Sequence, residues 1–167
     1  MTEAVSPTTQ AVPTSAVDPD VTSGVAQFLS PVVIDLTALA VDGKQAHWHV
    51  RGANFQAVHE LLDSVVDHAH DYADLAAERV VALGLPLDAR IQTVAAKATT
   101  PTLAEGFQSS DIVIAEVIAE IDAVLTGVRT AVTELAELDP VSQDVVIEIA
   151  RGLEKDRWFL FAHISEK

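Results

Sequence analysis

Breaks are few and widely spaced along this chain of 167 residues, and that spacing dictates long helices. Arg51-Gly52-Ala53-Asn54 is a short interruption, Gly84 and Pro86 form a stop, and Asp139-Pro140 forms another. Between the breaks, apolar residues recur at helical intervals. Val25, Phe28, Leu29, Val32, Val33, Leu36, Leu39 and Ala40 make one such stripe. The pattern predicts a first helix capped at Thr22 or Ser23 and ending near His49, with Pro31 best accommodated in its opening turns. It predicts a second helix over about 54–83, a third over about 110–138 and a fourth over about 141–164.

The connection over 85–103 is longer than an ordinary turn and has room for a short helix at 89–96. The expected fold class is therefore all-α: a ferritin-like four-helix bundle with a short helix in the long crossover between helices 2 and 3. Residues 1–22, rich in Pro, Ser, Thr and Val without helical periodicity, are read as a flexible acidic arm, and 23–167 as the bundle. Hydrophobic residues supply 49% of the chain but aromatics only 5%, a mixture suited to packed helices. Without cysteine, disulfide frameworks and thiolate metal sites are excluded.

No run approaches about 18 uninterrupted apolar residues, which argues against a membrane span. The first residues have neither a basic n-region nor an apolar h-region, so the expected location is cytoplasmic. The net charge is −15, and no Lys or Arg precedes Lys44. Counterion-release binding to DNA needs clustered cations, so DNA binding through the tails is disfavoured.

Five of the six histidines lie between His47 and His70, each among carboxylates. Imidazole and carboxylate together suit iron, zinc or manganese. On the second helix, His59 and Asp63 are four residues apart and share a face, as do Asp74 and Glu78. His47, His59, Asp63, Asp74 and Glu78 are the candidate ligands. The two helix pairs cannot serve one ion within one chain, because eleven residues place Asp63 and Asp74 roughly 16 Å apart along the axis. An antiparallel second copy, related by a two-fold axis, would bring Asp74 and Glu78 beside the first copy's His59 and Asp63. Di-iron ligation inside one bundle needs Glu-x-x-His on two helices, and this chain has none; Asp67-His68-Ala69-His70 supplies one Asp-x-x-His on one helix.

His47-Trp48, Arg51-Gly52-Ala53-Asn54-Phe55, His59, Asp63, Asp74 and Ala77-Glu78-Arg79 closely resemble the Dps family of mini-ferritins, over a body running from about residue 25 to the end and including Trp158-Phe159. The resemblance implies a ferroxidase site between two-fold-related subunits, with His47, His59 and Asp63 from one and Asp74 and Glu78 from the other. It also implies a hollow homo-oligomeric shell, a dodecamer, that oxidises Fe(II), preferably with hydrogen peroxide, stores Fe(III), and protects against oxidative stress. Zinc or manganese suits the same donors. Trp48 is either a sink for stray oxidising equivalents or an interface packing residue.

His70 faces the same side of the helix as Asp63 and Asp74. It is read as an interface histidine satisfied by a carboxylate; ligation of a second, weaker ion or a hydrogen bond to a ligand carboxylate are the alternatives. His49 and His68 are expected to face solvent or another interface, and His163 to favour the dipole at a helix end. Asp139, Asp144 and Glu148 cluster where related shells place acidic pores; helix capping is the competing reading. The alternative function is a nucleoid-associated DNA-binding protein with a secondary metal site. A zinc hydrolase lacks a visible nucleophile, and a purely structural oligomer leaves the ligand pattern without a purpose.

Overall fold

The computed structural model describes residue 15 and residues 17–164. Most of the expected arm at 1–22 lies outside the described residues. The four expected long helices form as α1 (Pro19–His49), α2 (Phe55–Ala82), α4 (Ser110–Leu138) and α5 (Pro140–Ile164), and the crossover carries the short α3 (Ile91–Lys97). α1 packs against α2 and α4, and α5 against α4 and α2. α2 and α4 are therefore diagonal, and the segment joining them must travel the length of the bundle.

One addition was not legible beforehand. Val50–Arg51 (β1), just after α1, pairs in parallel with Gln108–Ser109 (β2), just before α4. The ladder ties the end of the crossover to the break between α1 and α2, so α4 starts where α1 ends. Gly52 follows at φ 124°, a left-handed conformation that a side chain would strain. Farther back, the crossover is held by Asp35, buried on α1. Its carboxylate accepts from the backbone N–H and the hydroxyl of Thr99, both at 2.7 Å.

α1 begins earlier than expected. Asp18 is its cap and accepts from the Asp20 amide at 2.8 Å, with Pro19 opening the helix. Thr22 is inside the first turn instead, its hydroxyl donating back to the Pro19 carbonyl at 2.9 Å. Pro31 consequently lies mid-helix, not in the opening turns. The helix tolerates it because Pro31 and Gln27, whose carbonyl loses its usual donor, are both solvent-exposed, while Leu29, Val32 and Val33 hold the inner face.

The core is built from Leu, Ile and Val, including Leu29, Leu36, Leu62, Ile114, Ile121, Leu135, Ile149 and Leu153, all essentially inaccessible to water. α1 is long and apolar enough by composition to cross a membrane, but 56% of its most apolar stretch is buried inside the bundle. That burial is what a core helix requires.

Candidate metal centre

α1 ends and α2 begins at the same end of the bundle, which places His47 in the last turn of one beside His59 in the second turn of the other. The two rings stack with centroids 3.6 Å apart. Each ring also hydrogen-bonds the other residue's backbone: His47 Nδ1 donates to the His59 carbonyl, and His59 Nδ1 to the His47 carbonyl, both at 2.9 Å. A carbonyl oxygen only accepts, so each Nδ1 carries the hydrogen and each Nε2 keeps its lone pair. Backbone contacts thus fix on both rings the tautomer that a metal ligand would need.

Asp63 stands one turn beyond His59, with Oδ1 3.2 Å from His47 Nδ1. It is also ion-paired to Lys44, whose hydrogen bond is the main reason its carboxyl is held below the usual carboxylate range. The Lys44 ammonium thus lies where the carboxylate would otherwise meet a cation. Phe55 closes one side, its ring 5.0 Å from that of His59.

Asp74 and Glu78 are on the same uninterrupted α2 but are exposed, and neither makes a hydrogen bond or ion pair among the described residues. Among those residues no group of three or more His, Asp or Glu side chains is placed to hold one ion within the chain. His47, His59 and Asp63 are brought together; Asp74 and Glu78 are held away from them. The donor set fits a metal only as two separated halves.

The other singled-out residues fall as follows. Trp48 is 61% exposed and, with Lys44, Asp67 and the exposed His70, lines an open cavity of about 520 Å³. Asp139 accepts from Arg79 at 2.7 Å and from the Ser142 amide at 3.2 Å. Burial pushes its carboxyl up, but the Ser142 and Arg79 hydrogen bonds outweigh that and hold it low. Asp144 and Glu148 are exposed along α5, as is His163 near its end. His49 is half-buried, with Gln45 hydrogen-bonded to its ring and Phe107 against it at 5.4 Å.

His68 differs from expectation. It reaches inward to α5, where its Nδ1 lies 3.0 Å from both oxygens of the buried Asp156. Burial raises the Asp156 carboxyl, and the imidazole opposes that rise. Glu120 was missed altogether. It is fully buried on α4 with neither carboxyl oxygen in a well-formed hydrogen bond, and burial, followed by the Asp42 carboxylate, raises it to about 9. Both acids were detectable in principle, since each interrupts an apolar stripe: Glu120 between Val117 and Val124, Asp156 between Leu153 and Leu160.

Comparison with known proteins agrees with this architecture. The model of the ferritin-like domain matches residues 29–166. The chain is 36% identical to the DNA protection during starvation protein of Mycolicibacterium smegmatis, over 86% of this chain and 78% of that one. It is 32% identical to the Agrobacterium fabrum protein of the same description, over 87% and 90%. Among solved structures, Dps from Microbacterium arborescens in its high-iron form superposes with a TM-score of 0.88 at 56% identity, covering 91% of this chain and 99% of the other. The fold and the match define a ferritin-like helical-bundle protein. Within that class the chain belongs to the Dps family, a membership consistent with iron storage and oxidative protection.

Proposed function

We propose that this protein is a cytoplasmic ferroxidase and iron-storage mini-ferritin whose site is shared between two-fold-related subunits. One subunit supplies His47, His59 and Asp63, and its partner supplies Asp74 and Glu78. The observation that carries the proposal is the half-built site. Two imidazoles are locked with bare Nε2 atoms beside a carboxylate, while two further carboxylates, Asp74 and Glu78, stand exposed and unpartnered on the same helix, roughly 16 and 22 Å beyond Asp63 along the axis.

Fe(II) is the substrate. Two Fe(II) ions each give one electron to hydrogen peroxide; the O–O bond breaks, two protons are taken up, and two Fe(III) and two waters result. Taking both electrons at one site avoids release of a hydroxyl radical, which is why peroxide is the preferred oxidant. The protein's part is to hold mixed N/O ligands with open positions and to keep the imidazoles in the metal-binding tautomer. Zinc or manganese suits the same donors. Trp48, exposed on the cavity wall beyond Lys44, is suited to absorb stray oxidising equivalents. The product collects inside a dodecameric shell, and Asp139, Asp144 and Glu148 are proposed to line an entry path, with Asp139 shared with its capping role.

The decisive experiment is anaerobic Fe(II) loading followed by peroxide, comparing the native chain with a His59→Ala, Asp74→Ala double variant. Oxidation should fall to the protein-free rate; an unchanged rate would remove the proposed site. Sizing the native particle tests the shell. Retardation of DNA at moderate salt would favour the nucleoid-binding alternative, which the lack of Lys and Arg before Lys44 disfavours.

A further inference from the structure

The shared site fixes more than its own ligands. If a two-fold axis sets His59 opposite the partner's Glu78 and Asp63 opposite the partner's Asp74, the pairing of two antiparallel α2 helices is determined along its whole length. One turn inward from Asp63 is Asp67, and one turn inward from Asp74 is His70. Asp67 must then face the partner's His70, and His70 the partner's Asp67. The two pairs flank the axis itself.

We infer that Asp67 and His70 of two subunits form a divalent-cation site on the two-fold axis, separate from the two ferroxidase sites. This rests on the shared-site reading above. Asp67 and His70 are both exposed, neither has a hydrogen-bond or ion-pair partner among the described residues, and both line the 520 Å³ cavity beside Trp48. α2 is one uninterrupted helix through this region, so in that antiparallel pairing Asp67 and the partner's His70 stand at the same level beside the axis. Two carboxylates and two neutral imidazoles carry a charge of about −2, which a divalent ion neutralises, and a set of two nitrogens and two oxygens suits tetrahedral zinc or cobalt. One chain holds only two of these four donors, which agrees with the lack of any three-ligand group among the described residues. The axis ion links the subunits and takes no electron from iron.

The test uses the assembled protein, stripped by chelator and titrated anaerobically with Co(II), whose tetrahedral complexes absorb visible light far more strongly than octahedral ones. A His59→Ala, Asp63→Ala, Asp74→Ala, Glu78→Ala variant leaves His47 as the single remaining ferroxidase donor and keeps Asp67 and His70 of the axis site. It should still develop the tetrahedral band, saturating at one Co(II) per two subunits, while losing peroxide-driven iron oxidation. Adding His70→Ala should abolish the band, and His70→Ala alone should leave iron oxidation unchanged. Replacing His70→Cys under reducing conditions should add thiolate-to-cobalt charge-transfer absorption, a gain that a misassembled variant does not give. A band that survives His70→Ala, or no charge-transfer absorption in the cysteine variant, overturns the axis site. Unchanged iron oxidation in the fourfold variant instead overturns the shared ferroxidase site, so the two readings fail separately.

Discussion

Replacing Glu120→Gln should stabilise the protein at neutral pH, by an amount that grows with pH. Glu120 is completely buried without a well-formed hydrogen bond, and its carboxyl is raised from 4.5 to about 9, first by burial and then by Asp42. Below about pH 4.5 the folded and unfolded chains both hold the proton, and nothing is lost. As pH rises above that value, the unfolded chain releases its proton while the folded chain keeps it, so stability declines. The decline ends near pH 9, where the folded chain also ionises. Each pH unit in this window costs about 1.4 kcal/mol, so raising pH from 5 to 7 costs about 3 kcal/mol through this one group. Glutamine has nearly the same shape and no proton to lose. Urea unfolding at a fixed protein concentration should show the native-minus-variant stability falling by about 3 kcal/mol between pH 5 and 7. A difference that is flat with pH, or that moves toward the native chain as pH rises, would refute the assignment of a buried neutral acid at this position.

Other expectations follow from close contacts elsewhere. A Cβ at Gly152 would lie 1.8 Å from the Tyr72 hydroxyl, so Gly152→Ala should cost about 1–3 kcal/mol, with partial recovery when Tyr72→Phe removes that oxygen; thermal melts of the single and double variants check this. Asp35→Ala leaves the Thr99 donors without their acceptor and should cost about 1–3 kcal/mol while raising amide exchange at Thr99. His68→Ala removes the imidazole that opposes the rise of the Asp156 carboxyl, so the buried acid is costlier to keep ionised and the loss of stability should grow as pH rises above the ordinary Asp value of 3.8; pH-resolved unfolding reads it. Lys44→Met removes the ammonium paired with Asp63, and Co(II) affinity at the ferroxidase site should increase, measured by competition with a chromophoric chelator.

The helices and their approximate limits were legible because each apolar stripe is long and its breaks are strong: Asp139-Pro140 ends one helix and opens the next almost where the sequence places it. Legible too was the separation of the candidate ligands into two groups along α2, since an α-helix has a fixed rise and Asp63 and Asp74 are bound to it. Partners across helices were not legible. Periodicity gives the face on which His68 lies, yet only the packing of α2 against α5 brings it to Asp156, 88 residues later in the chain. Lys44 and Asp63 meet for the same reason across α1 and α2. The parallel ladder between Val50–Arg51 and Gln108–Ser109 depends on where a crossover lands, which no local pattern encodes.

By itself the sequence determined that this protein is a helical bundle with a histidine–carboxylate stripe too long for one ion, because helix geometry acts on neighbours a few residues apart. The tertiary structure decided which nitrogen of each histidine is free, since the His47 and His59 rings are oriented by each other's backbone carbonyls. It also decided which acids are buried, because burial is a property of the assembled layers. Glu120 is an ordinary carboxylate on an isolated helix and a neutral acid once α1 closes over it.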